Sequence, residues 1–194
     1  MLVYVDDLIL SSSCTQSIAE LRERLHSEYK VNDFGKLQHF IGVEIIRDRS
    51  NRKIWIRQTR YIEDTIAKFG MEECHSTSTP EFPNIHLTNE MRPKTTVEAG
   101  LMRSRPYSEL VGSLNYIAIL TRPDIAHAVQ QLCQFMHNPG QMHWKAAKQV
   151  LRYLKGTSEI GICYGPQNKA ILNNSVFTQD AIIQDSYSRR YYSG

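Results

Sequence analysis

The chain begins MLVYVDDLIL, and this run limits the fold more than any other stretch. Eight of its ten residues are Leu, Val, Ile, Tyr or Met before the polar Ser11–Ser13 ends it, so residues 2–10 read as a strand. Two carboxylates, Asp6 and Asp7, stand side by side within it. A charge in a buried strand costs several kcal/mol unless it is paired, and the first arginine comes only at Arg22. Adjacent strand residues also face opposite sides, so both carboxylates can meet one ligand only if the chain bends there. A tight hairpin with Asp-Asp at its bend satisfies both conditions. Oxygen donors so placed suit Mg²⁺ or Mn²⁺. An exposed turn in which Asp-Asp is mere polar punctuation accounts for the dipeptide equally well.

Behind this run the pattern alternates. Ile18, Leu21, Leu25 and Tyr29 keep helical spacing, and Ser17 with Glu20 forms a capping-box pattern. LQHFIGVEI (37–45) reads as a second strand interrupted by Gly42, with a bulge as one explanation of the glycine. RDRSNR turns the chain, and KIWIRQ (53–58) returns as a third strand. A helix is predicted from Thr59 to Phe69, closed by Gly70. Between His75 and Pro106 the period fails and Pro80, Pro83 and Pro93 intervene, which predicts an irregular connector.

Three helices follow. The first carries Leu110, Leu114 and Ile117 on one stripe. The second starts at Pro123 and carries Ile125, Val129, Leu132 and Met136. The third, MHWKAAKQVLRYLKG, carries Trp144, Ala147, Leu151 and Leu154 and stops at Gly156. In the Arg122-Pro123-Asp124 turn, proline fixes the chain and Asp124 is placed to cap the helix. A short strand, GICYG, and about thirty polar, weakly patterned residues complete the 194.

Charge is unevenly spread. Residues 1–80 hold 11 Lys/Arg against 12 Asp/Glu, whereas residues 101–156 hold 7 against 2. On the third helix Lys145, Lys148, Arg152 and Lys155 fall at spacings of 3, 4 and 3 with no acid among them. They make a cationic stripe beside the apolar one. Such a stripe suits a phosphate backbone, bound without sequence preference and weakened by salt. An ordinary solvated face is the alternative.

Other classes are disfavoured. Cys14, Cys74, Cys133 and Cys163 have no paired spacing, which suggests neither a zinc site nor a disulfide framework; Cys133, His137 and His143 lack a fourth ligand. No apolar stretch reaches the roughly 20 residues of a membrane span. The opening run has no basic flank and two Asp where a signal peptide would be apolar, so the chain is expected to be intracellular rather than secreted.

The motifs YVDDLIL, DFGKLQHFIGVEI, YIEDTIAKFGM, STP, YSELVGSLNYIAILTRPDIAHAV and HWKAAKQVLRYLKGT occur in this order. Together they resemble the reverse transcriptase region of the Pol polyprotein of copia-type LTR retrotransposons, from residue 1 to about 165. The resemblance implies an α+β fold: a partial polymerase palm, with the YVDD hairpin and a second hairpin packed on helices, then a mainly helical thumb and connection region. Implied boundaries are 1–74 for the palm and primer grip, 75–106 for the connector and 107–157 for the thumb and connection. Residues 158–194 would be the degenerate beginning of an RNase H-like domain, in which Gln179 replaces an expected Asp.

Site roles follow from the same resemblance. Asp6 and Asp7 match the catalytic metal ligands. Tyr4 and Val5 match positions beside the primer terminus and nucleotide, and Phe40, Ile41, Gly42 and Val43 match the primer grip. Implied partners are an RNA/DNA template-primer duplex and dNTP, with Mg²⁺ or Mn²⁺, in a cytoplasmic virus-like particle or the nucleus. On this reading the chain starts inside the palm, without the fingers or an earlier palm carboxylate. The metal site is then incomplete, and the isolated chain is expected to be inactive unless other Pol segments complement it. A non-catalytic nucleic-acid-binding remnant is the alternative.

Overall fold

The structure, a computed structural model, describes residues 1–166 and the backbone of 181–186. The residues group into two units. One comprises Met1–Phe40, Ile45–Ile54 and the chain from Tyr164; the other comprises Ile41–Glu44 and Trp55–Cys163. The class is α+β.

In the first unit the opening run is a hairpin rather than one strand. β1 (Leu2–Tyr4) pairs antiparallel with β2 (Asp7–Ser12), Leu2 opposite Ile9 and Tyr4 opposite Asp7. α1 (Thr15–Glu28) follows. It begins two residues before the Ser17 that the capping-box pattern marks, with Cys14 at the cap position and no side-chain cap. Its apolar stripe buries only Ile18. β3 (Asn32–Lys36), which alternation does not reveal, completes a sheet of order β1-β2-β8-β3 with β8 (Ala181–Ser186) between β2 and β3. Arg22 on α1 pairs with Asp33.

The stretch read as a single strand over 37–45 is likewise broken. β4 (His39–Phe40) and β5 (Val43–Asp48) flank a turn at Ile41–Gly42, and β6 (Lys53–Arg57) and β7 (Ile162–Tyr164) extend the sheet in the order β4-β5-β6-β7. The Asp48 carboxylate organises the β5–β6 turn. It accepts from the Ser50 hydroxyl at 2.6 Å and from the backbone and side-chain amides of Asn51 at 3.1 and 2.6 Å. Those donors favour the anion and lower its pKa to about 2.

The second unit is helical. α2 (Thr59–Lys68) ends as predicted: Gly70 has a positive φ of 62°, and the Met71 amide bonds back to the Ile66 carbonyl at 3.0 Å. The connector is not wholly irregular. It contains a single 3₁₀ turn and α3 (Thr96–Arg103), whose N-terminus is a capping box of Thr95 and Glu98. The T-x-x-E spacing was visible, but the surrounding prolines masked it.

α4 (Tyr107–Leu120), α5 (Ala126–Cys133) and α6 (Gln141–Gly156) then pack with α2 around one core. Leu110, Leu114 and Ile117 from α4, Val129 and Leu132 from α5, Leu151 and Leu154 from α6, and Ile62 from α2 are all buried. The α5 prediction was too long: Pro123–Ile125 is a 3₁₀ turn, and Phe135 rather than Met136 is buried beyond the helix.

The turn between α4 and α5 holds a buried arginine. Arg122 is fully buried and its guanidinium makes four hydrogen bonds. It donates to both Asp124 carboxylate oxygens, at 2.9 and 2.8 Å, and to the carbonyl and hydroxyl of Thr157, both at 2.7 Å. It also lies over the Tyr153 ring, whose hydroxyl donates to Asp124 at 2.8 Å. Burial would raise the Asp124 pKa, but the hydrogen bonds from Arg122 and Tyr153 and the adjacent positive charge hold it below its ordinary value. Asp124 therefore serves Arg122 rather than capping α5, which has no side-chain cap. Among the described residues no helix is long and apolar enough to cross a membrane.

Candidate functional site

The β1–β2 register leaves two residues, Val5 and Asp6, at the tip of the hairpin. Val5 has φ +51° and Asp6 does not share the positive φ, the pattern of a type II′ turn, whose first central position favours glycine. A β-branched residue there costs of the order of 1–3 kcal/mol, and packing does not hold it, since Val5 is 82% exposed. The carboxylates thus need no buried partner. Asp6 is exposed at the tip and Asp7 half-buried at the start of β2, and among the described residues neither accepts a hydrogen bond or ion pair. The apolar run around them is itself largely exposed on the β1 side.

The hairpin brings two of the sequence-predicted residues into contact: the Tyr4 ring meets Phe40 edge-on at 6.2 Å. Ile41 and Gly42, both at positive φ (44° and 72°), form a two-residue turn of type I′, so neither an interrupted strand nor a bulge describes Gly42. A side chain at Gly42 would come no nearer than 3.7 Å to the Tyr116 hydroxyl, so glycine is demanded by backbone angle and not by crowding. Tyr116 donates its hydroxyl to the Ile41 carbonyl and packs edge-on against Tyr61, which fastens the turn to α4 and α2. Val43 is buried behind it.

The carboxylate oxygens of Asp6 and Asp7 are the donor type that Mg²⁺ or Mn²⁺ prefers, but two such groups fall short of a coordination shell of six. Among the described residues no three His, Cys, Asp or Glu side chains gather where a metal could be held. The residues present fit a divalent ion in kind and supply part of its shell.

On α6 the four cations of the predicted stripe part company. Lys145 and Arg152 are exposed, Lys148 is half-buried, and among the described residues none of the three pairs with a carboxylate. Lys155 instead caps the chain after α2, donating to the carbonyls of Glu72 and Cys74, the latter at 2.8 Å. Its ammonium serves the fold. Trp144, expected in the core with Leu151, is only partly buried and lines a groove of about 440 Å³ together with Phe82, Arg105, Gln141, Lys145, Lys148 and Arg152. Arg105 and Phe82 come from segments remote in sequence, and no local pattern marks them. The nearby histidine is structural: His143 Nδ1 accepts the Gly140 amide at 2.8 Å, Nε2 lies 3.2 Å from the Thr88 carbonyl, and the ring stacks on Phe135. Gly140 itself is crowded, since a Cβ there would meet the Met91 carbonyl oxygen at 1.7 Å. The reading at Gln179 lies outside the described residues.

Comparison with known proteins bears on the same residues. The family model for "Reverse transcriptase (RNA-dependent DNA polymerase)" matches residues 1–83 and so contains the hairpin and the Ile41–Gly42 turn. The chain is 41% identical over 165 residues to the retrovirus-related Pol polyprotein from transposon TNT 1-94 of Nicotiana tabacum, covering 85% of this chain and 12% of that one. It is 37% identical over 164 residues to the Pol polyprotein from transposon RE1 of Arabidopsis thaliana, covering 84% and 10%. An uncharacterized mitochondrial protein of Arabidopsis thaliana is 32% identical over all 194 residues, which span 76% of it. No solved structure matches. The chain thus spans about a tenth of the polyproteins it resembles. Kinship that runs from the carboxylate hairpin through the last helix of the core places the chain in the reverse transcriptase family of copia-type LTR retrotransposons.

Proposed function

We propose that this chain is the catalytic-hairpin side of a reverse transcriptase palm followed by thumb and connection helices. Its parent activity is RNA-directed DNA synthesis on a template-primer duplex with dNTP. Residues 1–74 are assigned to palm and primer grip, 75–106 to a connector and 107–157 to thumb and connection. The observation that carries this reading is the strained two-residue turn that presents Asp6 at the tip of a hairpin, with Asp7 beside it. A protein keeping these residues only for solubility would gain by placing glycine at Val5.

Asp6 and Asp7 act as metal ligands in this reading, Tyr4 and Val5 border the primer terminus and nucleotide, and Phe40–Val43 hold the primer strand. Divalent ions, when bound, would activate the primer 3′-hydroxyl and neutralise the triphosphate. The chain's own contribution is positional. The tip is free to enter a substrate cleft because β1 leaves it exposed, and the fixed Ile41–Gly42 turn supplies a rigid backbone edge. We read the 194-residue chain alone as unable to polymerise, because the described residues bring no third carboxylate to Asp6 and Asp7 for a two-metal site. Other Pol segments would have to supply the remaining oxygens, in an intracellular particle or the nucleus.

The test is primer extension on an RNA template in Mg²⁺ or Mn²⁺, with the chain alone and with a co-expressed Pol segment carrying the preceding palm and fingers. We expect no extension by the chain alone, extension by the pair, and its loss on Asp6→Asn. Extension by the chain alone, or a pair indifferent to Asp6→Asn, would overturn the proposal. The groove on α6 supports a second reading, nucleic-acid binding without catalysis, whose mark is affinity that falls steeply with salt and ignores Asp6→Asn.

A further inference from the structure

From the groove on α6 we infer that the helical unit holds single-stranded nucleic acid by stacking an unpaired base on Trp144 and Phe82, with Lys145, Lys148, Arg152 and Arg105 taking the adjoining phosphates. The inference rests on the reading that this face meets a nucleic-acid backbone, and deepens it by naming the strand state and the residues that select it.

The chemistry is in the lining. Seven side chains form the groove: four cations, two aromatics and Gln141, with no carboxylate among them. Lys145, Lys148 and Arg152 follow one another along α6, so their attachment points span about 10 Å at 1.5 Å per residue. That span matches roughly three phosphates at the 3.4 Å axial rise of a duplex strand, and about two on an extended single strand. None of the three is tied to an acid among the described residues, whereas Lys155, next in the same row, is withdrawn to the Glu72 and Cys74 carbonyls. The row therefore ends where the groove ends.

Trp144 distinguishes this groove from a merely charged face. Its neighbours on the apolar stripe, Ala147 and Leu151, are fully buried, yet Trp144 is only partly buried and turns an aromatic surface to the groove. The Arg105 guanidinium lies over the indole ring, 5.9 Å from its centroid, so one face carries a cation and the other is the face a base would stack on. An aromatic face framed by cations is the arrangement on which unpaired bases stack, irrespective of base identity. In a duplex those base faces are already occupied by their neighbours, so a duplex gains only the phosphate contacts.

The experiment uses the full chain with Trp55→Phe, which leaves Trp144 as the sole tryptophan. Its emission is titrated with a mixed-sequence 12-nucleotide single strand, with the matching blunt duplex and with poly-glutamate, at low and moderate salt, and the affinities of every variant, those lacking Trp144 included, are read from the anisotropy of fluorescein-labelled strand and duplex. We expect quenching by the single strand, affinity for it at least about tenfold above the duplex, and loss of about tenfold in single-strand affinity on Trp144→Leu with duplex affinity unchanged. Phe82→Leu should act in the same direction, and provides the result if Trp144→Leu fails to fold. Equal binding of single strand and duplex, insensitive to Trp144 and Phe82 but lost on Lys148→Gln with Arg152→Gln, would remove the stacking site and leave the backbone reading standing. Binding of neither nucleic acid would remove both. Poly-glutamate binding as tightly as the single strand would reduce the groove to plain electrostatics and overturn the inference.

Discussion

In the helical unit Leu110, Leu114, Ile117, Leu151 and Leu154 have no exposed surface or almost none; in the hairpin unit Leu2, Val3, Tyr4 and Val5 are each more than half exposed, and only Leu10 and Ile18 of its described residues are buried hydrophobics. Both segments are rich in apolar residues. The difference lies in what covers them. Four helices present matching stripes to one another, so the helical unit supplies its own burial. β1 is an edge strand whose apolar side chains meet water, a surface that another strand or domain would cover. Stability is thus concentrated in one unit and the exposed Asp6–Asp7 hairpin in the other.

The largest test of that contrast is a matched pair of truncations. Leu114→Ala should cost about 4 kcal/mol, through lost transfer energy and a cavity the surrounding helices cannot close. Leu2→Ala, removing the same atoms from a half-exposed strand, should stay within about 0.5 kcal/mol. Urea titration followed by helical circular dichroism measures both, and comparable losses would mean that β1 is buried after all.

The same contrast explains what could be read in the chain. Leu110/Leu114/Ile117 and Ala147/Leu151/Leu154 repeat at helical spacing, so the core of the helical unit was legible. Those stripes are long enough for periodicity to outweigh noise. The hairpin was legible only through chemistry: Asp6-Asp7 required a bend, yet strand pattern alone ran straight through it. Strand pattern ran through Ile41–Gly42 because isoleucine at positive φ looks like strand, and only the resemblance of Phe40–Val43 to a primer-grip hairpin pointed to a bend there. α3 was hidden by prolines, although Thr95 and Glu98 spelled its cap. Arg105, Phe82 and Trp144 could not have been grouped from sequence, since their meeting depends on how α3, α6 and the connector pack.

Arg122 gives the next effect. Arg122→Met should cost about 2 kcal/mol, because it removes the charged donor from the Asp124 carboxylate and from the Thr157 carbonyl. Arg122→Lys should recover little, since a single ammonium cannot reproduce the fork. A urea midpoint unchanged in Arg122→Met would show that the network contributes nothing net. Such a result would also weaken the claim that the helical unit holds itself together.

In the hairpin unit the expected sign reverses. Val5→Gly should stabilise the turn by about 1 kcal/mol, the relief of positive-φ strain less the entropy glycine adds to the unfolded chain. Hydrogen exchange at the amides of β1 and β2 is the measure. Slower exchange is expected, and faster exchange would mean that Val5 makes contacts its exposure does not suggest. The strain is then a feature kept for what the tip does, at the expense of the hairpin's stability.

The smallest effect is one of pH, and it belongs to the helical unit. His143 is fully buried, and burial lowers its pKa; the Thr88 carbonyl opposes this and the charge of Arg92 reinforces it. With the folded value below the ordinary 6.5, both states are neutral above that pH and the stabilisation is complete. As pH falls through 6.5 the unfolded chain takes up its proton first, so stability declines until the folded value is reached. Protonation would also set a donor on Nδ1 against the Gly140 amide that it now accepts. The wild-type urea midpoint should therefore drop between pH 7 and pH 5.5, and less so in His143→Asn, which keeps an acceptor for Gly140. Asp48, whose pKa is lowered to about 2, stays ionised across this window and adds nothing to the slope. If wild type and variant fall in parallel, the pH response comes from another group. If the variant's slope flattens, the response lies at the N-terminus of α6, the helix that lines the Trp144 groove, and acidification should weaken that helix's anchorage before it touches the carboxylate hairpin.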